Sequence, residues 1–74
     1  MLDIDAFMQH VRDRDFTIED RGVVSGVRRF FISQQGHRVA YFDIDELVWP
    51  DVSQEWLLRQ VDIIMDEWKP IEEQ

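Results

Sequence analysis

The stretch VRRFFISQQGHRVAYFD, Val27 to Asp43, decides the fold. Two runs of β-branched and aromatic residues flank Gln34-Gln35-Gly36, a pattern that reads as a β-hairpin with its turn at the glycine. Side chains alternate between the two faces of a strand, so an uninterrupted ladder sorts them into two sets. Arg28, Phe30 and Ile32 share a face with Val39 and Tyr41. Val27, Arg29 and Phe31 share the other with Arg38, Ala40 and Phe42. Both sets hold aromatics, so the hairpin reads as covered, at least in part, on both sides.

Working outward, the chain before the hairpin opens with a helix. Ile4, Phe7, Met8 and Val11 recur at helical spacing and form one apolar stripe from about Leu2 to Arg14. Asp3 is placed to cap it, and Leu2 and Phe7 occupy the hydrophobic-staple positions around that cap. Phe16 to Asp20 alternates as a short strand. Asp20-Arg21-Gly22 is a turn signal, and Gly26 marks a bulge. Beyond the hairpin, Asp43 to Pro50 is a connection. A second helix then runs from Asp51 or Ser53, rival caps, to Lys69. Leu57, Leu58, Val61, Ile64, Met65 and Trp68 form its core stripe, and Val52, Trp56 and Ile63 a narrower second ridge. Pro70 ends it.

The expected fold is therefore α+β, in the order α-β-β-β-α: a three-stranded antiparallel sheet with two helices packed mainly on one face. Residues 1–70 make a single domain and 71–74 a frayed acidic tail. A chain of 74 residues buries only about 60% of its unfolded surface, so a partner or a second copy would steady it. In element order alone the chain is similar to the double-stranded-RNA-binding domain. That family docks RNA with a basic N-terminus on its last helix. The matching stretch here, Asp51-Val52-Ser53-Gln54-Glu55, is acidic, so RNA binding is not carried over.

Charge is the strongest functional signal. The chain carries 16 acids against eight Lys and Arg, a net charge of −8. Residues 1–20 hold six acids and two arginines, residues 21–42 four arginines and no acid, and residues 43–74 ten acids against Arg59 and Lys69. A basic hairpin thus lies between acidic flanks. Such flanks argue against duplex nucleic acid as a direct partner, because phosphate contacts supply most of that affinity. They speed encounter with basic partners.

No enzyme is indicated. There is no cysteine, and neither His10 nor His37 stands in a nucleophile setting. Asp43, Asp45 and Glu46 offer carboxylates suited to hard cations, but a calcium loop needs Gly and Glu where this chain has Val48 and Gln54. No cofactor or metal is expected. No apolar run approaches the roughly 20 residues that span a bilayer. The acidic start MLDID is unlike a signal peptide, and a cytoplasmic location without membrane contact is expected.

The candidate site is an acidic surface of Asp43, Asp45, Glu46, Asp51, Glu55, Asp62, Asp66 and Glu67 with an aromatic ridge of Trp56 and Ile63. A carboxylate array can stand in for a phosphate backbone. In size, charge and lack of cysteine the chain resembles the small acidic inhibitors of phages and mobile elements that block nucleases, restriction enzymes and CRISPR complexes. That resemblance implies a non-enzymatic inhibitor whose partner is a basic protein or nucleoprotein complex. The rival readings are a regulatory or single-stranded nucleic-acid-binding module using Arg29, Phe31, Arg38 and Phe42 on one sheet face, and a homodimeric structural module.

Overall fold

The computed structural model describes residues 2–68. Helix α1 (Ile4–Asp13) is followed by strands β1 (Thr17–Val24), β2 (Val27–Gln34) and β3 (His37–Asp45), a 3-10 turn at Trp49–Asp51 and helix α2 (Gln54–Glu67). The strands form one antiparallel sheet in the order β1-β2-β3. This is the expected α+β arrangement. The helix end expected at Lys69 and Pro70, and the tail expected at 71–74, lie outside the described residues.

Local chemistry accounts for the helix ends. The Asp3 side chain accepts from the Ala6 amide at 3.0 Å and caps α1. At the other end Asp15 adopts φ 65°. Its N–H donates to the Arg12 carbonyl, and the Phe16 N–H donates to the Val11 carbonyl. These two bonds form a Schellman motif, and Phe16 and Val11 supply its usual apolar contact. Of the rival caps on α2, Ser53 is the one used, accepting from the Trp56 amide at 3.0 Å. Asp51 instead closes the 3-10 turn.

Both hairpins turn on two residues with positive φ, Ser25-Gly26 and Gln35-Gly36. This is the type I′ geometry whose twist matches the strands. The turn and the bulge expected on the first strand are therefore exchanged. Gly26 sits in the turn, while Arg21 and Gly22 bulge out of β1 opposite Arg29.

A second bulge changes the face assignment of β3. Ser33 pairs with Arg38, but Ile32 pairs with Ala40, which leaves Val39 as the extra residue. One extra residue turns every later side chain of the strand over. Phe42 therefore lies opposite Phe30, and Tyr41 opposite Phe31. The uninterrupted ladder is corrected: Phe42 belongs to the inner face, and Tyr41 to the outer.

The inner face carries the core. Phe7, Val11, Phe30, Ile32, Leu57 and Val61 have no measurable exposure, and Phe16, Ile18, Ile44 and Met65 are buried around them. Phe42, Leu58 and Trp68 pack at the margin. Phe7 meets Phe30 edge-to-face at 5.3 Å, and Phe16 meets Trp68 the same way at 6.1 Å. Both helices cover this face. Among the described residues no helix covers the other, which corrects the two-sided cover expected for the hairpin. Among the described residues no helix is long and apolar enough to cross a membrane.

Candidate protein-binding surface

The eight carboxylates of the acidic set divide into two groups. Asp43, Asp62 and Asp66 are held by the chain's own cations. Arg29 grips Asp43 with two parallel bonds, Nε to Oδ1 at 2.6 Å and Nη2 to Oδ2 at 2.7 Å. Arg14, just past the end of α1, reaches across to Asp62 on α2 at 3.0 Å and to Asp66 one turn on. His10 Nε2 lies 2.7 Å from the same Asp62 oxygen. These three carboxylates tie elements together.

Their protonation follows from these bonds. The Arg29 guanidinium holds the Asp43 carboxyl below the usual carboxylate range. For Asp62 burial works against the charge, yet the bonds from His10 and Arg14 outweigh it and keep this carboxyl low as well. A further pair lies at the end of the inner face. Arg28 bonds Asp20 at 2.7 Å and stacks over Trp49 at 5.5 Å, and its guanidinium depresses the Asp20 carboxyl.

The second group is Asp45, Glu46, Asp51, Glu55 and Glu67. Among the described residues none of these has a basic side chain within 4.0 Å. All five are exposed. Four of them run from Asp45, the last residue of β3, through the connection to the first turn of α2. Backbone geometry fixes this segment. The Asp45 carboxylate accepts from the Leu47 amide at 2.8 Å, and the Glu46 N–H donates to the Gly26 carbonyl at 2.9 Å. Gln54 ties it to the start of the chain, exchanging bonds with the Asp3 backbone at 3.0 and 3.1 Å.

Apolar side chains stand among these charges. Leu47 is 87% exposed, Val48 49% and Trp56 47%. A hollow of about 310 Å³ opens between Asp51, Val52, Ser53 and Trp56. Ile63, the other member of the expected ridge, is also exposed but lies about two turns along α2 from Trp56, beside the Asp62 and Asp66 pair. Leu47 and Val48 were not among the sequence candidates. An apolar pair in a short connection gives no periodicity by which burial can be judged.

The alternative face is rearranged. Arg29, Phe31 and Arg38 share the outer face, but Phe42 does not; its ring lies 6.4 Å from that of Phe7. The bulge at Val39 turned it inward and put Tyr41 in its place. Arg38 lies over the Phe31 ring at 4.3 Å and Arg21 over it at 5.3 Å, while Arg29 stacks on Tyr41 at 4.5 Å. The Phe31 ring is thus flanked by guanidinium groups, and Arg29 is already committed to Asp43. Arg21, which the sequence reading left out, reaches this face only because β1 bulges there. A hollow of about 480 Å³ lies between Arg21, Val27, Arg29 and Phe31.

Among the described residues no group of three His, Cys, Asp or Glu side chains is placed to hold a metal ion. No protein-family model, no curated protein and no solved structure matches this chain.

Proposed function

We propose that this chain is a non-enzymatic binding protein whose acidic, apolar connection engages a basic, nucleic-acid-binding partner and blocks it. The contact surface consists of Asp45, Glu46, Asp51 and Glu55 with Leu47, Val48 and Trp56. The observation that carries this reading is the set of carboxylates that have no cation within 4.0 Å among the described residues, grouped around exposed apolar side chains on a segment fixed by hydrogen bonds to the backbone. Unpaired carboxylates supply long-range attraction and register, and Trp56 supplies a hot-spot anchor. A carboxylate array presented this way competes with phosphates for the partner's Lys and Arg. The mode of action is nucleic-acid mimicry of the anti-restriction or anti-CRISPR kind, which would place the chain with phage or mobile-element proteins acting in the host cytoplasm. The outer-face alternative is the weaker reading, because its ring and one of its arginines are engaged within the chain.

The direct test is charge reversal at Glu46, Asp51 and Glu55. Asp62 and Asp66 are unsuitable for it, since reversing them would break the Arg14 bridge between the helices. The triple variant E46K/D51K/E55K is expected to keep its circular dichroism and lose capture of a basic partner from host extract. Capture that survives unchanged, with the same salt dependence, would overturn the proposal.

A further inference from the structure

We propose that the helix-free face of the sheet is the contact for a second copy of this chain, packed face to face about a two-fold axis running across the strands. The inference stands apart from the acidic-surface reading and uses mainly different residues.

Its basis is the order of side chains along that face. Four rungs of the ladder point outward. The first holds Thr17, Ser33 and Arg38 and the second Glu19, Phe31 and Tyr41. The third holds Arg29 and Asp43 beside the bulged Arg21, and the fourth Val24, Val27 and Asp45. A two-fold axis between the second and third rungs lays each strand over its own copy in the reverse direction. The first rung then meets the fourth and the second meets the third.

Under that operation opposite charges and compatible groups coincide. Glu19 faces Arg21 of the second copy, each of them already bridged to the other within its own chain. The Tyr41 hydroxyl meets Asp43. Arg38, which has no carboxylate within 4.0 Å among the described residues, meets Asp45, which has no cation. The contact is isologous, so every pair occurs twice.

Charge also decides against the other occupants. Two chains of −8 repel one another over most of their surface. On this face Arg21, Arg29 and Arg38 offset Glu19, Asp43 and Asp45, so two copies can meet there without a like-charge penalty. A nucleic-acid strand would find on this face, among the described residues, Arg38 as the one cation without a carboxylate within 4.0 Å, and a strongly negative protein around it. Three strands spaced about 4.8 Å apart and eight residues long at about 3.3 Å each offer a face of roughly 14 by 26 Å. At roughly 360 Å² per copy that is well below the roughly 800 Å² per partner of a stable interface, so the dimer is weak and transient and forms at high concentration.

Sedimentation equilibrium over a wide range of concentration tests it. The wild-type chain is expected to pass from 9.0 kDa toward twice that mass. R38D should raise the dissociation constant about ten-fold or more, and D45R should do the same, since each places like charges opposite one another twice. The double variant R38D/D45R should restore association. Y41A, at a position that contributes nothing to the core, should weaken the dimer with unchanged circular dichroism, whereas I63S on α2 should leave it intact. R38D should leave capture of a basic partner untouched, which keeps this proposal separate from the acidic surface. A chain that stays at 9.0 kDa throughout would overturn it. So would a dimer lost on I63S but not on R38D, or a monomer that binds a mixed-sequence single-stranded oligonucleotide through Arg38 and Tyr41.

Discussion

Replacing Phe42 and Tyr41 by alanine, one at a time, tests the bulge at Val39 and with it the assignment of the two sheet faces. With an uninterrupted hairpin Tyr41 would be the buried member and Phe42 the outer one. With Val39 bulged, Phe42 lies opposite Phe30 on the inner face and packs against the core, while Tyr41 is 58% exposed. Removing a fully buried Phe costs about 3–5 kcal/mol. Phe42 is partly buried, so about 2–3 kcal/mol is expected for F42A. Y41A removes the Arg29 stack and the edge contact with Phe31, each worth about 0.5–1 kcal/mol at an exposed site, and about 1–2 kcal/mol in all is expected. Unfolding entropy near 2.1 cal/mol/K per residue gives about 155 cal/mol/K for 74 residues, so each kcal/mol moves the midpoint by about 6 °C. F42A should therefore lower Tm by about 13–19 °C, and Y41A by about 6–13 °C. Thermal circular dichroism at a concentration where the chain is monomeric measures both. Equal losses, or a larger loss for Y41A, would refute the bulged register.

Other consequences are smaller but as definite. S53A should cost about 1 kcal/mol, because it removes the side chain that caps α2, whereas D51A should leave α2 intact; chemical denaturation separates the two. Asp20, Asp43 and Asp62 have carboxyls held below their unfolded values, so the stability they contribute is complete above the unfolded pKa near 3.8 and is lost as pH falls through the folded values. Acid titration of R28Q should accordingly show less loss of stability below pH 4 than the wild type, since Asp20 then has little depression left to lose. R14Q should loosen α1 from α2 and raise amide exchange at the ends of both helices; unchanged exchange there would remove Arg14 from the account.

The element order was legible because each element carries its own period. The Ile4, Phe7, Met8, Val11 stripe and the Leu57 to Met65 stripe are helical in any context, and the runs on either side of Gly36 alternate as strands. The bulges were not legible. Gly22 and Gly26 take nearly the same backbone angle, φ 76° and 78°. Which of them turns the chain and which bulges depends on how β1 registers against Phe30 and Phe31, a cross-strand matter. Val39 has no residue-level mark of a bulge at all. It is fixed by the core, which accepts the Phe42 ring beside Phe7 and so turns Tyr41 outward.

The candidate site was legible in part for the same reason. Composition located the acids, and the pairing that ties Asp43, Asp62 and Asp66 to the chain's own cations joins residues 14 to 52 positions apart. Arg14 meets Asp62 only once α1 lies on α2, and Arg29 meets Asp43 only once the bulge has set the register. Charge summed by segment could not distinguish a carboxylate that fastens helices from one that faces solvent. Leu47 and Val48 stand exposed on a connection held by the Asp45 side chain and the Gly26 carbonyl, and neither contact follows from residue type.

The central claim is that the acidic connection takes the place of phosphates on a partner. A competition measurement tests it most directly: the captured partner, bound to this chain, is titrated with duplex DNA at fixed salt. Mimicry predicts mutual exclusion, with DNA releasing the wild-type chain and the E46K/D51K/E55K variant failing to compete. A partner that holds DNA and this chain together, with neither weakening the other, would contradict it.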